Sequence, residues 1–145
     1  MIVFRVEVNT PDSFGDTGPY TACSRKMPWH ALYVGLQDGF SGNDTGPEAG
    51  KDRQPTALED ELLSPKLQED THGFSEGMYC FNSIAQYHSW FFRAEGRKLA
   101  APYGKLVVMD VPDHDVLVGS AQCIALPTGR VVTTLPLDYE GKYYA

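Results

Sequence analysis

The sequence predicts an α+β domain, a compact and mainly antiparallel sheet carrying one or two principal helices. Short runs rich in β-branched and aromatic residues recur at both ends of the chain, as in "IVFRVEV" at 2–8, "KLVVMDV" at 105–111 and "RVVTTLPL" at 130–137. Between them, "SIAQYHSWF" changes to helical period, and neither repeats nor low-complexity tracts interrupt the pattern. The 145 residues suit one domain, spanning 1–145, with a core of its own.

The first strand ends at "NTPDSFGDTGP", where Pro, Asp and Gly cluster as turn formers. "YTACSRKMPWHALYVGL" is compatible with a short helix from Pro28 onward. From Asp38 to Lys51 the chain is glycine-rich and almost without apolar residues, which predicts a long surface loop of the kind that often carries function. In "TALEDELLSPKLQED", Leu58, Leu62 and Leu63 fall at helical spacing, and Pro65 is expected to break that helix. "THGFSEG" reads as a loop, and "DVLVGSAQCIAL" as one bent strand or two short ones.

The stretch "EGMYCFNSIAQYHSW", residues 76 to 90, is the most informative. Met78 to Phe81 suit a buried strand. Asn82 or Ser83 can then cap a helix, on whose inner face Ile84, Tyr87, His88 and Phe91 recur. A strand, a polar cap and an amphipathic helix follow one another with no loop between them.

Composition narrows the function classes. Twelve basic against nineteen acidic residues give a net charge of −7. No concentrated basic face is available to neutralise a phosphate backbone, so direct nucleic-acid binding is not expected. The acidic surface suits solubility or docking on a basic partner. Cys23, Cys80 and Cys123 lack zinc spacing and read as free thiols in a reducing compartment. His30, His72, His88 and His114 are scattered, and no metal site is expected. No apolar run approaches a membrane span, and "MIVFRVEV" is unlike a secretory leader, so a cytoplasmic protein is expected.

"GMYCFNSIAQYHSW" resembles the central motif of the ADP-ribosyltransferase superfamily, in which an aromatic strand, a Ser or Thr cap and a helix line the nicotinamide pocket of NAD. Arg5, in the middle of the first strand, is similar to that family's first motif, a basic residue contacting the nucleotide part of NAD. Gln122 in "GSAQCIAL" stands in the chain order of the third motif, a Glu or Gln that polarises the ribose hydroxyl. The resemblance implies NAD as substrate. Arg5, Tyr20, Tyr79, Ser83 and Gln122 would bind it, Arg5 and Gln122 would serve catalysis, and a host protein would be modified. One departure stands out: no Glu lies between Gly96 and Tyr139, and Gln122 cannot offer negative charge to an oxocarbenium-like transition state. The chain also resembles small bacteriophage proteins, through the Arg-bearing first strand, the Gly18-Pro19-Tyr20 turn, the "SWF" helix end and the late Gly119 to Gln122 pattern.

Simpler readings stand beside these. Arg5 can pair with Glu7 or a neighbouring acid, the cap needs no ligand, Trp90, Phe91 and Phe92 suit a core, and Gln122 can be an ordinary strand residue. A second function follows from the charge and the missing Glu: a non-enzymatic inhibitor of a host defence complex, similar to anti-CRISPR proteins.

Overall fold

The structure, a computed structural model, describes residues 1–8, 60–69, 72–91 and 94–145. Tyr20, Cys23, Phe92, the loop expected at 38–51 and the short helix expected after Pro28 lie outside the described residues. Among them run strands β1 (Ile2–Val8), β2 (Met78–Cys80), β3 (Gly104–Asp110), β4 (Val116–Val118), β5 (Cys123–Ala125) and β6 (Arg130–Leu135). The α-helices are α1 (Ser64–Gln68), α2 (Ile84–Trp90) and α3 (Ala94–Ala100).

The strands form two antiparallel sheets, ordered β1-β3-β6 and β2-β5-β4. Phe4 and Phe81 join them, exchanging N–H···O bonds of 2.8 Å in both directions. The order across this split sheet is therefore β6-β3-β1-β2-β5-β4, an α+β fold with an antiparallel framework.

Strand alternation distributes the core over three layers. Phe4, Val6, Leu106 and Val108 emerge on one face and meet Phe81, Ile84, Tyr87, Trp90 and Phe91. Val3, Val107 and Met109 emerge on the other and pack against Cys80, Val116, Cys123 and Ala125 of the second sheet. On the far side of that sheet, Leu63 closes over Leu117 and Ile124. β1 and β3 thus bury apolar side chains on both faces, which is why their sequences read as runs more than as strict alternation.

One expectation needs revision, and one helix adds to the pattern. Pro65 does not end a helix; it lies in the first turn of α1, where its missing N–H has no intrahelical acceptor to lose. α3 carries no apolar helical period in the sequence: its one large apolar residue, Leu99, is 69% exposed while Gly96, Arg97 and Ala100 form the buried side. Arg97 donates at 2.5 Å to the carbonyl of Phe91, the C-cap of α2, which puts a cation at the negative end of that helix.

Candidate functional site

The β2–α2 junction forms as the sequence suggests: the helix begins at Ile84, with Ser83 in extended conformation as its N-cap. Ser83 Oγ accepts from the Gln86 backbone N–H at 3.0 Å, and Gln86 Oε1 accepts from the Asn82 N–H at 2.9 Å. This reciprocal pair is a variant of the capping box. The Ser-x-x-Gln spacing announces it. Ser83→Ala is expected to cost about 1 kcal/mol of stability, the usual worth of an N-cap, read from urea unfolding midpoints.

Gln86 also reaches across to the β4–β5 turn, its Nε2 standing 3.5 Å from the carbonyls of Gly119 and Ser120. That turn is closed by Gly119 N–H donating to Gln122 O at 2.9 Å. Gly119 is required there by close approach: a Cβ would meet Gln122 O and lie 2.5 Å from Leu63 Cγ. Asp60 anchors the turn from beneath. Its carboxylate accepts from the N–H groups of Ser120 and Ala121 at 3.1 Å, Leu62 at 3.0 Å and Leu63 at 3.3 Å. Burial alone would raise this carboxyl, but the N–H donations from Ser120, Ala121 and Leu62 outweigh it and hold it below its ordinary value. Nothing in "LEDEL" separates Asp60 from an ordinary solvated acid.

Between these walls lies an open cleft of about 470 Å³, lined by Asn82, Ser83, Ala85, Gln86, Ser89, Trp90 and the turn residues Gly119, Ser120 and Ala121. None of these lining side chains is ionisable. Amides and hydroxyls can donate to and accept from a neutral polar group, and the Trp90 indole supplies an apolar surface.

The residues singled out from the sequence divide. Ser83 lines the cleft. Gln122, 5% exposed, ends the turn beside the lining residue Ala121 and directly precedes β5. Extending the Cys80–Cys123 ladder by one residue sets Gln122 opposite Phe81, which pairs with Phe4. Arg5 stands one row away on β1. Its Nε is 3.3 Å from Glu7 Oε1, an ion pair without hydrogen-bond alignment, and it is not among the cleft residues. Adjacent rows of a sheet project to opposite faces, so the register brings the backbones of Arg5 and Gln122 near each other but not their side chains. Tyr79, on β2, is 56% exposed and outside the cleft. Cys80 is buried, and burial pushes its thiol well above the ordinary range, against a nucleophilic role. His88 Nε2 lies 2.9 Å from the Tyr139 carbonyl.

A second polar cluster sits at the start of β4. Asp115 accepts the Thr128 hydroxyl at 2.6 Å and stands 2.9 Å from His72 Nε2 and 3.6 Å from His114 Nε2. The carboxylate, not an imidazole, receives the hydroxyl, so this is no nucleophile–base pair. The Thr128 and His72 bonds lower the Asp115 carboxyl. Asp60 and Asp115 therefore ionise lower in the folded chain than the ordinary 3.8 of the unfolded one. Above that value the folded chain has their full stabilisation. As pH falls through and below it, the unfolded state binds more protons and the stabilisation drains away. Unfolding midpoints measured from pH 6 down to about pH 2 should fall on the acid side, and less so in Asp115→Asn.

Among the described residues no group of three or more His, Cys, Asp or Glu is arranged to hold a metal ion, and no helix is long and apolar enough to cross a membrane. A family model described as bacteriophage T4 Y00F protein matches residues 1–134, which takes in both walls of the cleft. The chain belongs to that phage family. Within the family match fall Arg5, the Gly18-Pro19-Tyr20 stretch, the SWF sequence at 89–91 and the Gly119 to Gln122 turn, the features that carried the likeness to small phage proteins. Searches of curated proteins and of solved structures found no match.

Proposed function

We propose that this member of the phage Y00F family binds NAD in the manner of ADP-ribosyltransferases and modifies a host protein in the host cytoplasm. The observation that carries the reading is that the Ser83 cap and the Gly119 to Ala121 turn, which buried Gln122 directly follows, line one neutral cleft. The chain order of Arg5 on β1, Ser83 after β2 and Gln122 before β5 is that of the superfamily's three motifs. A carboxamide fits the uncharged donors and acceptors of Asn82, Ser83 and Gln86, while a phosphate would find no cation among the lining residues. Ser83 and Gln86 would hold the nicotinamide end, and Gln122 would hydrogen-bond the ribose. Arg5, one row over, projects from the opposite face of the sheet and pairs with Glu7, so the neutral cleft residues would carry the binding without it. Positioning and hydrogen bonding would supply the catalysis that a missing Glu does not.

Calorimetric titration with NAD tests this. Gln122→Ala is expected to lower turnover more than affinity, and Arg5→Ala, on the far face of the sheet, to leave NAD affinity near that of wild type. Turnover is read as ADP-ribose added to host proteins by intact mass. No binding of NAD by the folded wild-type chain would overturn the reading.

The Arg5–Glu7 pair and the absent Glu favour a second reading, a non-enzymatic acidic inhibitor of a host defence complex. Charge-led docking of that kind slows as salt rises toward physiological levels. A salt-independent on-rate would count against it.

A further inference from the structure

Cys80 and Cys123 stand directly opposite each other in the β2–β5 ladder. The two-way exchange between Phe4 and Phe81 turns the Phe81 backbone groups toward β1. Those of the preceding residue, Cys80, consequently point the other way, toward β5. Cys80 and Cys123 are thus a hydrogen-bonded pair of an antiparallel ladder, with Cα atoms about 5.5 Å apart. That separation falls at the commonest value for disulfides, about 5.5–6 Å. Cβ atoms of a hydrogen-bonded pair lie toward the far end of about 4.5–5.5 Å, against about 3.5–4.5 Å in a formed disulfide. The bond can close with a shift of roughly 1–2 Å. Both side chains lie in the layer between the two sheets, with Val3 and Val107.

We propose that Cys80 and Cys123 are a reversible redox modification site, oxidised by a small disulfide of the glutathione type, which locks β2 to β5 at the edge of the cleft. One protein thiol, deprotonated, attacks a sulfur of the small disulfide; that S–S bond breaks, and one small thiolate leaves and takes up a proton. The second protein thiol then loses its proton and attacks the mixed disulfide, forming the protein S–S bond and releasing the second small thiol. Two electrons pass from the protein to the small disulfide. Burial raises both thiols, so attack waits on local opening of the strand pair. The Cβ shift leaves the bond strained, and strained disulfides are the readily reduced ones, which makes this a switch more than a staple.

The site touches the cleft lining through Cys123, whose sulfur is met by the backbones of Gly119 and Asn82 and by Gln86. Cys123 Sγ lies 3.6 Å from Gln86 Oε1, on the side chain that spans the two walls. Oxidation removes that S–H donor and turns the sulfur toward Cys80, leaving Gln86 Oε1 with the Asn82 N–H alone. The inference does not depend on NAD binding.

The test uses the full chain carrying Cys23→Ser, incubated natively with glutathione disulfide and then alkylated in denaturant. The expected result is a monomer lighter by about 2 Da, the two hydrogens lost on disulfide formation, with no alkylated thiol and a cross-linked peptide joining Cys80 to Cys123. Excess reduced glutathione restores both thiols, and adding Cys80→Ser abolishes the cross-link. If Cys23→Ser does not fold, the same peptide map of the unaltered chain reads the pairing directly. Two alkylatable thiols after oxidation, glutathione adducts without a cross-link, or a bond that resists reduced glutathione would each overturn the proposal.

Discussion

Asp60→Ala lowers stability by about 4 kcal/mol, on the reasoning that buried N–H groups left without a partner cost about 1–3 kcal/mol each. Asp60 is 1% exposed and accepts from four backbone donors on two segments, 62–63 and 120–121. Removing the carboxylate strands the Leu62, Ser120 and Ala121 donors, while the Leu63 N–H keeps the Asp60 backbone carbonyl at 3.2 Å, and the more solvent-accessible donors recover part of the loss from water. Asp60→Asn keeps one acceptor oxygen and is expected to lose about half as much. Urea unfolding of the three proteins measures this. An Asp60→Ala variant within about 1 kcal/mol of wild type would mean that Gly119 and Leu63 hold the turn without the carboxylate.

Phe81→Ala is expected to cost about 3–5 kcal/mol, the range for emptying a buried aromatic site. The ring is 6% exposed, and its centroid lies 5.8 Å from Tyr87, 5.9 Å from Trp90 and 6.2 Å from Phe91. Such tilted and edge-on pairs add to the area they bury. Phe81 also stands where the two sheets join. Its backbone bridge to Phe4 survives the substitution, but the side chain that packs α2 against that bridge does not. Phe81→Leu keeps most of the volume and is expected to lose less than half as much. Thermal unfolding of both variants checks the difference. Equal losses in the two would mean that aromatic packing is not what fixes α2.

Features set by local chemistry were legible in the sequence. β1, β3 and β6 showed themselves through β-branched residues. The start of α2 was visible because Ser83 caps a run with Ile84 and Tyr87 on one face. Features set by tertiary contact were not. Asp60 gains its role from N–H groups sixty residues away in the chain, and an acid among other acids carries no mark of that. α3 buries small residues and an arginine, so it offers no apolar period to find. Pro65 reads as a helix breaker or a helix starter according to what precedes it, and Leu63, drawn into a turn against Ile124 and Leu117, decides for the second. For the cleft, sequence supplied Ser83 and the neighbourhood of Gln122, while Gln86, which ties the walls together, needed the capping geometry. Arg5 shows the opposite case. Its strand and row were readable, but its partner, Glu7, sits on its own strand, on the face away from Gln122.

The most direct measurement is titration of the isotopically labelled full chain with NAD, followed by backbone amide NMR. The proposed function predicts saturable shifts concentrated at Asn82 to Gln86 and Gly119 to Gln122, with smaller ones at Arg5. A spectrum unchanged at millimolar NAD, or shifts confined to residues away from both cleft walls, would contradict it.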